Sequence, residues 1–153
     1  MKYIIDIFTN CMIISSASAW LLAQIIKVFT GMFKDRKFSI TTLLFSNGGM
    51  PSSHSAAVTA LATSATVIHG FNSFECAMAS VFAIIVMMDA SGVRYETGEQ
   101  AKILNRITKE LFSGKSTEIN TGLKELVGHT PFQVLVGALL GTVVGLTLCF
   151  LML

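Results

Sequence analysis

Charge is almost absent from three long stretches of this 153-residue chain. Between Cys11 and Phe33 the only Lys, Arg, Asp or Glu is Lys27, between Phe38 and Met88 it is Glu75, and from His129 to Leu153 there is none. Charge gathers instead in Lys34–Lys37 and Asp89–Glu125. Hydrocarbon excludes ionised side chains, and about 20 apolar residues cross its ~30 Å. The alternation therefore predicts an integral membrane protein. A composition that is 52% hydrophobic and 13% charged agrees, and the length suits a single membrane-embedded domain over residues 1–153. The formal charge of +2 gives no basic footprint. Membrane lipids are the expected surroundings, and no nucleic-acid partner is expected.

Four spans follow from the blocks: Ile7–Phe33, Ala56–Ile68, Phe74–Met88 and Val134–Leu153. The second and third are short and need tilt or local thinning of the bilayer. Small residues at Ser16–Ala19 resemble a cleavage site, but Asp6 interrupts the region and apolar sequence continues past Ala19. A retained span is expected rather than a signal peptide. Between the third and fourth spans, "GEQAKILNRITKELF" places Ile103, Leu104, Ile107, Leu111 and Phe112 at helical spacing. Ser116–Val127 suits a second short helix. The expected fold is all-α: a helical bundle of about four transmembrane helices with one or two cytoplasmic amphipathic helices. Gly137, Gly141 and Gly145 recur every four residues in the last span, a face for contact within the bundle or for a homodimer. Cys11, Cys76 and Cys149 match no metal spacing, and their odd number suits no closed disulfide framework. They read as small buried hydrophobes.

Threading four spans puts Lys34, Arg36, Lys37, Arg94, Lys102, Arg106, Lys109, Lys115 and Lys124 on one side, nine of the eleven basic residues. The positive-inside rule makes that side cytoplasmic. His54, Asp89, Arg94 and His129 fall on it too.

"GGMPSSHSA", Gly48–Ala56, supplies the first chemical signal. Gly48 and Gly49 let a ligand approach the backbone. Pro51 suits a first helical turn, and Ser52 or Ser53 can cap the helix or offer a hydroxyl. A helix N-terminus gathers unused N–H groups into an anion site. His54 adds an acid–base group, although a capped helix with an incidental interfacial histidine fits the same residues. The second signal is "ELVGHTPFQVLVGALLG", Glu125–Gly141. There His129 stands at the start of the last span, and Gln133 lies four residues on to orient it. Lys27 is costly inside a membrane, which favours a role for it over simple snorkelling to the interface. Three histidines without an acidic cluster do not suggest a divalent-metal site, and no cofactor is expected.

"PSSH", the downstream "GHTPFQVLVGALLG" and the intervening "DASGVRYETGEQAKILN" resemble a divergent branch of the type-2 phosphatidic acid phosphatase and vanadium haloperoxidase superfamily. The resemblance runs from about Ala23 to Gly141. It implies that His129 is a nucleophile forming a phosphohistidine and that His54 is the acid protonating the leaving alkoxide. It further implies that Lys27, Ser52, Ser53 and Gly49 help to hold phosphate. The chain departs from the pattern where the superfamily has an arginine six residues before the second histidine and an aspartate four residues after it. Here those positions are Leu123 and Gln133. Arg94 and Lys124 are the candidate replacement cations, and Asp89 is the candidate replacement carboxylate. The implied activity is removal of phosphate from a lipid phosphate or pyrophosphate without a metal, in a bacterial plasma membrane. The alternative is a non-catalytic lipid-phosphate binding or transport protein that keeps the anion pocket.

Overall fold

The computed structural model describes residues 6–35, 49–112, 123 and 128–153. Among the described residues there is no strand, and five long helices dominate: α1 (Cys11–Asp35), α2 (Ser53–His69), α3 (Phe74–Ser91), α4 (Val93–Phe112) and α5 (Pro131–Met152). The chain is an all-α membrane bundle, as its charge pattern predicts. Caps set the helix starts. Asn10 Oδ1 accepts the N–H groups of Met12 (2.9 Å) and Ile13 (3.3 Å), so α1 begins at Cys11 rather than at Ile7. Ser73 Oγ likewise accepts from Cys76 N at 3.1 Å and opens α3. The amphipathic helix begins at Val93, earlier than its apolar spacing indicates. Gly92 alone separates it from α3, and Glu96 N donates to Gly92 O at once, at 3.0 Å. The short helix expected over Ser116–Val127 lies outside the described residues, apart from Leu123.

Among the described residues, three helical stretches are long and apolar enough to cross a membrane: Cys11–Thr30, a window within Phe74–Leu111, and Pro131–Met152. Of the four expected spans, the one built on α2 falls short, with 17 residues that cover only about 26 Å. Its shortness goes with a central position, because α2 packs against α1, α3 and α5. Small side chains make that possible. Ser53, Ser55, Ala56, Val58, Ala60, Ser64 and Ala65 of α2 are buried, and Ala56 and Ala60 meet Ala19 and Ala23 of α1. Bulky residues such as Ile84, Ile85, Leu139 and Val143 point outward. That is the reverse of a water-soluble core, because lipid tails solvate Leu and Ile as well as protein does.

The tightest contact is between α2 and α5. A Cβ on Gly137 would collide with the Ser52 carbonyl, and one on Gly141 with the Ala56 carbonyl and the Thr59 hydroxyl. One on Gly145 would come within 2.9 Å of the Ala60 carbonyl. Thr59 Oγ1 donates across the seam to Ala138 O at 3.1 Å, and Ser16 Oγ of α1 donates to Ala57 O at 3.0 Å. The glycine stripe, which the sequence offers to bundle packing or to a homodimer, is thus filled by α2 of the same chain. Gly141→Ala is expected to destabilise the bundle by about 1–3 kcal/mol through overpacking against backbone. It should lower the thermal midpoint in detergent, whereas Leu139→Ala on the outward face should lower it much less.

Candidate functional site

The site is assembled at one end of the bundle from the starts of α2 and α5, the end of α3 and the side of α1. Met50 and Pro51 are joined by a cis peptide, and Gly49 has φ +93°, a left-handed conformation that favours glycine. Ser52 is the N-cap of α2. Its hydroxyl accepts from Ser55 N at 3.3 Å and from Ser55 Oγ at 2.9 Å, and it is fully buried. Of the two serines expected near phosphate, Ser52 therefore serves as the cap. Ser53 faces the cation: Lys27 Nζ donates to Ser53 Oγ at 3.2 Å. Lys27 is only 8% exposed, and its aliphatic stem passes about 3.9 Å from where a Gly49 Cβ would stand. Among the described residues, the backbone N–H groups of Ser53 and His54 have no acceptor. They are the first-turn donors that capping leaves over.

His129 is 3% exposed and is held from both sides. Its N–H donates to Ala90 O, the carbonyl next to the end of α3, at 3.1 Å. Gly128, just before it, lies so close to the backbone of Arg94 and Tyr95 that a Cβ there would overlap them. His129 Nδ1 lies 3.2 Å from Gln133 Oε1. The same oxygen accepts from Thr130 N at 3.1 Å, while Thr130 Oγ1 accepts from Gln133 N at 3.4 Å. This is a capping box, with Pro131 in the first turn. A backbone N–H requires an acceptor, so the Gln133 atom facing both groups is its carbonyl oxygen. Nδ1 must then be the donor, and Nε2 keeps its lone pair. Gln133, the residue expected to orient His129, thus contacts its ring and starts α5 as well. Ser52 N donates to Gln133 O at 3.1 Å, tying the two histidine-bearing segments together directly.

Electrostatics binds the group further. Burial first, and then the charges of Lys27, His54 and Arg94, push the His129 pKa below its ordinary value, while the Gln133 hydrogen bond pulls it up. His54 is thus close enough for its charge to weigh on His129. His54 makes no side-chain hydrogen bond to another described residue. Arg94 and Asp89, the candidate substitute clamp, pair with each other, Arg94 Nε to Asp89 Oδ2 at 2.7 Å, with both side chains roughly half exposed. The contact occupies one of five guanidinium N–H groups and leaves the terminal nitrogens without a partner among the described residues. Lys124 lies outside the described residues. Its neighbour Leu123 is gripped by Asn105, which donates Nδ2 to Leu123 O and accepts from Leu123 N, both at 2.9 Å.

Comparison with known proteins gives the chain a family. The chain matches the divergent PAP2 family over residues 8–144. It belongs to that family. It is also 40% identical over 155 residues to the uncharacterized membrane protein YuiD of Bacillus subtilis (strain 168), covering 95% of this chain and 98% of that one. No solved structure matches.

Within this divergent PAP2 chain, three site features escaped the reading of the sequence. The Thr130–Gln133 capping box was visible, since "TPFQ" carries the serine/threonine-to-glutamine spacing with proline in the first turn. The His129–Ala90 and Asn105–Leu123 contacts join residues far apart in the chain, and no local pattern announces them. The expected titration follows from the lowered His129 pKa. The imidazole stays neutral at pH 7, protonated on Nδ1 alone, and takes up its second proton only below the ordinary value of about 6.5. Nitrogen-15 NMR of histidine-labelled protein checks this. A His129 midpoint above 6.5, or a proton on Nε2 at pH 7, would contradict the geometry.

Proposed function

We propose that this chain is a membrane-embedded hydrolase that removes phosphate from a lipid phosphate or pyrophosphate through a phosphohistidine on His129. The observation that carries the reading is the oxygen of Gln133, fixed by Thr130 N–H, which holds His129 with its Nε2 lone pair available. In this scheme Nε2 attacks phosphorus in line as the P–O bond to the leaving group breaks. His54 gives that oxygen a proton. Water then cleaves the P–N bond with His54 acting as base, which returns both histidines to their starting state. Lys27, Ser53, the first-turn N–H groups of α2 and the outer nitrogens of Arg94 are suited to the equatorial oxygens. Asp89 holds Arg94. The basic residues flanking this end support a cytoplasmic location in a bacterial plasma membrane.

A second reading, a lipid-phosphate binding or transport protein, is favoured by one specific feature. Gln133 bears no charge and cannot stabilise the imidazolium that a carboxylate would. The test uses full-length protein in detergent with phosphatidate and a prenyl diphosphate. Phosphate release is expected, with His129→Ala reducing it to background and His54→Ala lowering it about 10²–10⁴-fold. Acid-labile labelling of wild type but not of His129→Ala would mark the intermediate. Binding of the same lipids with no release, unchanged by His54→Ala, would favour the second reading. Activity that survives His129→Ala would remove the proposed nucleophile.

A further inference from the structure

At the end of the bundle away from His129, two cysteines from the two ends of the chain meet. Cys11 is the first residue of α1, and Cys149 lies near the end of α5. Their sulfur atoms are 3.1 Å apart across a sequence separation of 138 residues. Twenty residues from His129 to Cys149, 18 of them from Pro131 along α5, correspond to nearly 30 Å of rise, so the pair and the candidate site lie near opposite membrane faces. Cys149 is fully buried, whereas Cys11 is half-buried and reachable. The third cysteine, Cys76, is a built-in control at the same end of the bundle. It is buried, and its polar neighbour is the Thr66 hydroxyl at 3.1 Å rather than a sulfur. Cys149 also lies beyond the residues matched by the divergent PAP2 family.

We infer that Cys11 and Cys149 are a thiol–disulfide site, closed by exchange with a small disulfide oxidant, that staples the first membrane helix to the last. The exposed edge of Cys11 is where exchange starts. Its thiolate attacks one sulfur of the oxidant, whose other half leaves as a thiolate and takes up a proton. Cys149, already in contact, attacks Cys11 Sγ of the mixed disulfide and expels the second half of the oxidant, which leaves as a thiol. Two protein thiols are oxidised to one disulfide, and one oxidant disulfide is reduced to two thiols. The charge bias that assigns the opposite end to the cytoplasm puts this pair on the outer face, where disulfides persist. The inference does not depend on the proposed hydrolase activity.

The test uses full-length protein in detergent, equilibrated with oxidised glutathione and then alkylated after denaturation. Of three thiols, two are expected to disappear, with a Cys11–Cys149 cross-linked peptide in the mass spectrum. Cys76→Ser should keep the cross-link, and Cys149→Ser should abolish it. Closing so long a loop should raise the thermal midpoint by roughly 10 °C, reversibly with dithiothreitol. Three alkylatable thiols after oxidation, a bond involving Cys76, or a cross-link between two chains would each overturn the inference. Native membranes denatured directly in excess alkylating agent extend the test. Two thiols left unalkylated and joined as a Cys11–Cys149 peptide agree with an outward-facing pair, and all three alkylated would overturn the assignment of the pair to the outer face.

Discussion

The close approach of α5 to α2 is the contact on which the rest of the molecule depends. Apolar surface gains little by leaving lipid for protein, so helices in a bilayer must be joined by near-backbone packing and by hydrogen bonds between them. Three glycines on α5 supply the first, and Thr59 supplies the second by reaching Ala138 O. The register of that seam is chemically consequential. It brings the start of α2 level with the start of α5, so that Ser52 N meets Gln133 O. The histidine segment and the glycine–serine segment thus become neighbours although they are 75 residues apart at His54 and His129. A slip of one turn would part them.

Gln133 stands where local folding and site chemistry coincide. Its carbonyl oxygen satisfies the Thr130 N–H and the His129 ring together, so α5 cannot begin correctly without the imidazole being aimed. An aspartate four residues after the histidine would bring a charge, but its carboxylate is one methylene shorter. Glutamine exchanges charge for reach. The surroundings match that exchange, because burial first, and then the nearby charges of Lys27 and Arg94, favour a neutral ring over a charged one.

Much of this was legible in the chain itself. Membrane character, the four apolar blocks, the amphipathic α4 and the pairing of His129 with Gln133 all follow from periodicity and charge, which act over a few residues. The division of labour between the serines did not. Either Ser52 or Ser53 caps a helix equally well in isolation, and only the contact with Gly137 and the approach of Lys27 decide that Ser52 is enclosed while Ser53 meets the cation. The sequence offers Asp89 and Arg94 as candidate replacements in the clamp, without showing whether they meet each other. The structure displays the ion pair, formed where Gly92 lets the chain pass from α3 into α4. The meeting of Cys11 with Cys149 was beyond any local pattern, since it depends on how the first and last helices close the bundle.

The shortness of α2 also sets the depth of the site. Lys27 and Ser53 meet at its first turn, yet α1 continues from Lys27 to Asp35, eight residues further, or about 12 Å. The first turn of α2 therefore meets α1 about two helical turns before α1 ends. In the proposed hydrolase, a phosphate held at that level would exchange bulk water for a weakly polarisable surrounding, in which one buried ammonium and two amide hydrogens would attract it far more strongly than at the end of α1. Depth would strengthen the attraction of a site with few cations.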